Sequence, residues 1–187
     1  TNVPPHNMRE VIEAVIWTIE SAQAATLPTL SEKQRKLLEL VPGPDFPTGG
    51  YIVGRHGIQQ AYLTGRGSVI MRAKADVEVS KRGDRSAVVV TAIPYQVNKA
   101  KLIERIAQLV REKTIEGISD IRDESDRDGL RIAIDLKRGE IGDVVLNNLY
   151  KHTALQSSFG IIMLAIIGGR PKALSLVELI ETFVEFR

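Results

Sequence analysis

The chain has 187 residues, 43% apolar and 26% charged, with a net charge of +2, which is ordinary for a globular protein with a real core in one large or two small domains. It contains no cysteine, which excludes disulfides, thiol nucleophiles and Cys-ligated zinc and fits a reducing compartment. No apolar run approaches the roughly 20 residues of a membrane span, and His6, His56 and His152 have no metal-ligand spacing.

The start, Thr1-Asn2-Val3-Pro4-Pro5, has no signal-peptide character and no initiator Met, so the chain reads as a piece of a longer protein. Asn7-Met8-Arg9-Glu10 is a capping-box pattern. Met8, Val11, Ile12, Val15, Ile16 and Ile19 follow at helical spacing and predict a helix over 8–20. Ile12 has two readings: a core residue of that helix, or an exposed wedge that enters between base steps of a duplex. Residues 22–28 read as a linker, and 31–40 as a short helix capped by Ser31 and stopped by Pro42.

Residues 42–67 hold three prolines and seven glycines, which argues against a packed helix or central strand. Arg55, His56 and Arg66 lie on this ribbon, with no acid between Asp45 and Asp76. Either it is a solvated loop, or its N–H groups and guanidinium forks approach a polyanion. Residues 51–113 carry 12 Lys/Arg against 5 Asp/Glu, and residues 114–140 carry 5 against 8. A basic half beside an acidic strip suits one face meeting a polyanion, Arg72 and Lys74 included, while another meets solvent.

Residues 68–79 alternate Met71, Ala73, Ala75, Val77 and Val79 with charged residues, which predicts a strand with one wet face. A turn at 80–84 and a return strand over 86–93 complete a hairpin. A helix over 98–113 buries Leu102, Ile103, Ile106, Leu109 and Val110. Strands at 118–121 and 130–136, the latter with Leu130, Ile132, Ile134 and Leu136 inward, flank the acidic turn 123–129. That turn has four carboxylates but fails the EF-hand spacing, and reads as a solvated connection with no metal site. A helix over 141–150 turns Val144, Val145 and Leu149 inward; 159–167 is an apolar strand broken by Gly168-Gly169 and Pro171; Ser175 and Glu178 cap a last helix. The order gives an α+β fold, a mixed sheet with hairpins packed by amphipathic helices. No nucleophile–base–orienter set and no Walker loop is visible.

The blocks 1–7, 42–48, 64–67, 93–99, 122–129 and 147–150 make the chain closely resemble the A subunit of bacterial-type DNA gyrase, in the type IIA topoisomerases. The equivalent subunit of topoisomerase IV shares some of these blocks, and a stand-alone DNA-binding module is the remaining alternative. The resemblance implies a fragment after the catalytic tyrosine. Residues 1–40 would be the end of a winged-helix region with connecting helices. Residues 41–172 would be a tower-like domain, and 173–187 the start of a coiled-coil arm. It implies no catalytic residue here, the nucleophilic Tyr lying upstream and none of Tyr51, Tyr62, Tyr95 or Tyr150 in its motif, so that the piece is inactive alone. DNA contact would fall to His6, Asn7, Ile12, Arg55, Arg66, Arg72 and Lys74, with Ile12 the intercalating residue. The holoenzyme would be a cytoplasmic, nucleoid-associated A2B2 heterotetramer with the gyrase B subunit and a second copy of the A subunit, binding double-stranded DNA for ATP-dependent negative supercoiling. Mg2+ and ATP would sit on the partner subunit, with none on this chain. Residues 21–40 look more divergent than the rest.

Overall fold

The computed structural model describes residues 2–79 and 85–187. The chain begins with α1 (Met8–Ala22), α2 (Leu30–Leu40), β1 (Tyr51–Val53), α3 (His56–Thr64) and β2 (Arg66–Arg72). There follow β3 (Lys74–Val79), β4 (Ser86–Ala92), α4 (Lys99–Arg111), β5 (Ile118–Asp123) and β6 (Ile132–Leu136). The last elements are α5 (Gly142–His152), β7 (Gln156–Ile162), β8 (Leu164–Ile167), β9 (Arg170–Ala173) and α6 (Leu176–Phe186). The fold is α+β, with antiparallel sheets. The turn expected at 80–84 lies outside the described residues.

The chain forms two compact units: residues 1–47, 54–70 and 158–187 make the first, and 48–53 with 71–157 the second. The chain leaves the first unit and later returns to it.

In the first unit, α1, α2, α3 and α6 pack together. Each packing helix has a local reason to start where it does. Asn7 caps α1 by accepting from the N–H of Arg9 at 3.0 Å and of Glu10 at 3.4 Å. Ser175 and Glu178 form a reciprocal capping box on α6, at 2.8 and 3.2 Å. The cap of α2 is Thr29, not Ser31: Glu32 N–H donates to Thr29 Oγ1 while Thr29 N–H donates to Glu32 Oε2. The core gathers Leu37, Val41, Ile58, Ala61, Tyr62, Val69, Ile161, Met163, Leu174 and Ile180.

The ribbon 42–67 contains α3, contrary to the expectation of a helix-free stretch. Its prolines and glycines cluster before residue 58 and after residue 64, leaving Ile58–Thr64 free of both, with Ile58, Ala61 and Tyr62 buried. Gly65 closes α3 in the left-handed region, at φ 80°, its N–H donating to Ala61 O at 2.8 Å. The apolar stretch 159–167 divides at Met163 into β7 and β8, and Gly168-Gly169 turns β8 into a hairpin with β9 rather than ending the sheet. Pro171 is tolerated there on a two-stranded ladder, where a missing donor leaves no inner strand unpaired.

In the second unit, the sheet runs β3-β4-β6-β5, antiparallel throughout. Val88 and Val90 of β4 and Ile132 and Ile134 of β6 join Leu102, Ile106 and Leu109 of α4 and Val145 and Leu149 of α5 in one core. Leu130 packs against this core only partly buried, and lies before β6 rather than in it. The single strand expected over 68–79 is two, β2 and β3, broken at Ala73, with a register shift between Lys74 and Ala75. The period of two holds through the break, with Met71 and Ala73 buried and Ala75 and Val77 half-buried, and departs only at the last residue, Val79, expected inward but 65% exposed. Val144 is likewise exposed at 54%, because α5 begins at Gly142 and points Val145 and Leu149 inward instead.

Candidate nucleic-acid interface

Helix α1 buries one residue completely, Ala14. Val11 and Val15 are half-buried, while Met8, Ile12, Ile16 and Ile19 are exposed at 73, 48, 48 and 42%. The helical stripe read from the sequence therefore splits. Val11 and Val15 turn toward the protein beside Ala14, which is not of the stripe, and an apolar row at spacings of four, four and three residues faces outward. Ile12 is not a core residue. A contiguous exposed apolar row on a charged chain marks a surface for a partner.

The start of α1 is tied down by polar contacts. His6 Nδ1 lies 2.8 Å from Pro4 O and Nε2 lies 2.7 Å from the Tyr62 hydroxyl. A carbonyl only accepts, so Nδ1 carries the proton and Tyr62 O–H donates to Nε2. Burial holds His6 below the ordinary imidazole range, against the opposing pull of the Pro4 carbonyl and Asp45. Both nitrogens of His6 are thus engaged inside the chain. Asn7 Nδ2 donates to Asp45 Oδ2 at 3.2 Å while its Oδ1 caps the helix. The cap of α1 is the one-sided one of Asn7 and not the reciprocal box expected with Glu10.

Arg55 is exposed at the start of α3, which has no acid in its first turn, and Arg66 is exposed just past its end. Helical rise places them roughly 15 Å apart along α3. All five of His6, Asn7, Ile12, Arg55 and Arg66 belong to the first unit. Arg72 and Lys74 belong to the second. Arg72 is half-buried, its Nε donating to Gln156 Oε1 at 2.9 Å and its guanidinium lying 4.7 Å from the Tyr150 ring centre. Lys74 is exposed. Among the described residues, Arg55, Arg66 and Lys74 make no ion pair.

Part of the acidic strip, Asp123, Glu124 and Asp135, is paired where it stands. Lys99 pairs with Asp123 at 2.7 Å, Arg131 pairs with Glu78 and Glu124 at 3.0 Å each, and Arg122 pairs with Glu124 at 3.2 Å and with Asp135. The Lys99 and Ser125 contacts push Asp123 down to about 2, and Arg131 and Arg122 hold Glu124 below the usual carboxylate range. Asp126 and Gly129 close the turn with reciprocal backbone bonds at 3.1 and 3.3 Å. Among the described residues, no group of three or more His, Asp or Glu could hold a metal ion.

Tyr62 and Tyr150 are held by internal contacts. Tyr62 is 2% exposed, and burial drives its hydroxyl well above the ordinary phenol range. Tyr150 is also raised by burial, its O–H donating to Ala73 O at 3.3 Å. The contacts of His6 with Tyr62, Asn7 with Asp45 and Arg72 with Tyr150 were not legible in the sequence: the partners are 56, 38 and 78 residues apart, and no local spacing joins them.

An α+β chain with an exposed apolar helix face and unpaired cations has the makings of a polyanion-binding protein, and sequence comparison specifies which. The chain belongs to the DNA gyrase/topoisomerase IV family of A subunits, whose pattern matches residues 1–187. It is 55% identical over 188 residues to the A subunit of a probable chloroplastic/mitochondrial DNA gyrase of Oryza sativa subsp. japonica, covering all of this chain and 19% of that protein. It is 53% identical over 190 residues to the DNA gyrase A subunit of Synechocystis sp., covering all of this chain and 21% of that one. For the DNA gyrase A subunit of Escherichia coli (strain K12) the identity is 52% over 187 residues, again the whole chain and 20% of the relative. The chain thus spans about a fifth of the length of these relatives.

Proposed function

We propose that this chain is part of the DNA breakage–reunion subunit of a DNA gyrase, binding and bending gate-segment duplex DNA. The parent reaction is ATP-dependent negative supercoiling by double-strand passage. The observation that carries the reading is the exposed Ile12 on α1, beside a helix start held by polar contacts. Membership of the A subunit family, and relatives named as gyrase, support the parent activity.

The magnitudes assign the work. Bending a short duplex costs about 1–6 kcal/mol, and unstacking one step costs a few kcal/mol more. Burying one isoleucine side chain returns roughly 1.5–3 kcal/mol. The wedge alone does not offset the bend, so phosphate contacts must supply the remainder. Arg55, Arg66, Arg72 and Lys74 fill that role and are sequence-tolerant. Asn7 and His6 act at the base of the wedge helix. The breakage step is assigned to no residue here. Mg2+ and ATP belong to the partner subunit of an A2B2 heterotetramer, in which two copies of the gyrase B subunit join two of the A subunit. The setting is the nucleoid of the cytoplasm. Among the described residues, no helix is long and apolar enough to cross a membrane.

The test uses the complete subunit that contains this chain, reconstituted with its partner and assayed on relaxed plasmid and on linked circles. ATP-dependent negative supercoiling supports the gyrase reading. Decatenation without supercoiling assigns the chain to topoisomerase IV. Absence of both activities contradicts the proposal.

A further inference from the structure

We propose that Tyr150 and Gln156 are positioning residues that hold the Arg72 guanidinium ready for a single phosphate of the duplex backbone; this rests on the reading of Arg72 as a phosphate contact.

Among the described residues, two arginines are half-buried, Arg72 and Arg131, both in the second unit. Arg131 is paired with Glu78 and Glu124 at 3.0 Å each. Arg72 meets neutral groups instead. Its Nε donates to Gln156 Oε1 at 2.9 Å, and its guanidinium lies over the Tyr150 ring, 4.7 Å from the centre. Asp76, the nearest acid in sequence, makes no ion pair among the described residues. A half-buried cation without a carboxylate leaves the cost of its desolvation uncompensated. A ring face and an amide oxygen orient the charge without neutralising it. An anion arriving from outside supplies what the chain leaves out.

The backbone under Arg72 is fixed on both sides. Gly50 approaches so closely that a Cβ there would lie 2.7 Å from Arg72 O. Ala73 N–H donates to Leu155 O at 2.7 Å, and Ala73 O accepts from the Tyr150 hydroxyl at 3.3 Å. Residues 155 and 156 thus secure the backbone and the head of one arginine. The Gln156 bond uses Nε, and the donors on the two Nη atoms make no ion pair among the described residues. A guanidinium presents such donors to phosphate oxygens as a planar fork. Lys74 differs: it is exposed on a flexible stem and follows a phosphate wherever one lies. Arg72 is placed before the duplex arrives, so less side-chain freedom is lost on binding and the contact is tied to one phosphate. Lysine at position 72 would carry the charge without the planar face, and could not be held in the same way.

The experiment scans a short duplex in which one phosphate at a time is replaced by an uncharged methylphosphonate, bound by the reconstituted complete enzyme. Affinity at each position is compared for the parent and for Arg72→Ala, Arg72→Lys, Tyr150→Phe, Tyr150→Leu and Gln156→Leu. One position in each half of the duplex should cost the parent several-fold in affinity and cost Arg72→Ala nothing. Tyr150→Leu, Gln156→Leu and Arg72→Lys should each lose most of that cost and keep the parent's profile elsewhere. Tyr150→Phe, which keeps the ring, should retain it. In the Arg72→Ala background, Tyr150→Leu should weaken binding no further. An Arg72-dependent position that is unmoved in Tyr150→Leu or in Gln156→Leu removes the positioning role of that residue. A uniform loss across all positions, the mark of a merely structural part, overturns the proposal, as does Tyr150→Phe behaving like Tyr150→Leu. A parent profile in Arg72→Ala removes the phosphate reading itself, and is distinguishable from the other failures.

Discussion

The guanidinium of Arg72 lies 4.7 Å from the ring centre of Tyr150, with Nε on Gln156 and the Tyr150 hydroxyl on the carbonyl of Ala73, the next residue. Arg72 is therefore held in place, whereas Lys74 two residues on is free to swing. A cation–π contact at a half-buried site contributes about 0.5–2 kcal/mol. Tyr150→Leu should destabilise the chain by about 1–2 kcal/mol in chemical denaturation, the lost hydroxyl bond included. Combined with Arg72→Met, the two changes should show a coupling of about 0.5–1 kcal/mol. Additive effects would mean that the ring and guanidinium merely lie near each other.

Gly57 is required by close approach. A Cβ there would collide with the backbone carbonyl of Ser68, and one at Gly67 would lie 2.8 Å from Ala61 N. Helix α3 and strand β2 meet backbone to backbone through these glycines. Gly57→Ala should cost about 1–3 kcal/mol through forced backbone movement. Gly160→Ala, where a Cβ meets nothing within 4 Å, should stay within about 0.5 kcal/mol. Thermal unfolding of the two variants side by side checks the contrast.

The acid response has a defined sign. His6 titrates below its ordinary 6.5 in the folded chain, so the folded state binds fewer protons than the unfolded state there. Its contribution is complete above about 6.5 and is lost as pH falls through the depressed folded value. Asp123, pushed from 3.8 to about 2, contributes above 3.8 and loses that contribution as pH falls toward 2. Melting temperature should thus decline in two stages on acidification. His6→Asn should remove the upper stage and leave the lower, and Lys99→Ala should weaken the lower. A melting curve of His6→Asn with the parent's slope just below the ordinary 6.5 of the imidazole would contradict the assignment.

Residue periodicity and caps carried most of the fold. Helix α4 is legible because Leu102, Ile106 and Leu109 repeat at helical spacing behind the Asn98 cap. Helix α6 is legible from Ser175 and Glu178. What the sequence hid is long-range. Counting glycines over 42–67 obscured α3, because the count averages a helix of nine residues with the turns that flank it. A pattern of period two cannot reveal the break at Ala73, because a register shift there leaves the alternation of residue types unchanged. The stripe of α1 was legible as amphipathic, but spacing does not say which side meets protein: Ala14, the least conspicuous residue, is the buried one. Among the candidate site residues, the cations were readable from charge imbalance. The inward commitments of His6, Asn7 and Arg72 were not, since each depends on a partner at least 38 residues away.

Arg55, Arg66 and Lys74 are exposed, and Arg72 is held by Tyr150, so duplex affinity should depend steeply on salt. Each phosphate contact contributes roughly −0.9 to the slope of log K against log salt. Replacing all four by Ala in the complete enzyme should flatten the slope by up to about 3–4. Retention of the parent slope would place the phosphate contacts elsewhere.

The most direct measurement is duplex bending by the complete enzyme carrying Ile12→Ala, alongside thermal unfolding of the same variant. Ile12 is 48% exposed, so truncation should lower stability by well under the roughly 2–5 kcal/mol of a buried Ile→Ala. Near-parent melting with a clearly reduced bent fraction and impaired supercoiling is the predicted result. Parent-like bending by the Ile12→Ala enzyme, or a stability loss in the full buried range, would contradict the wedge.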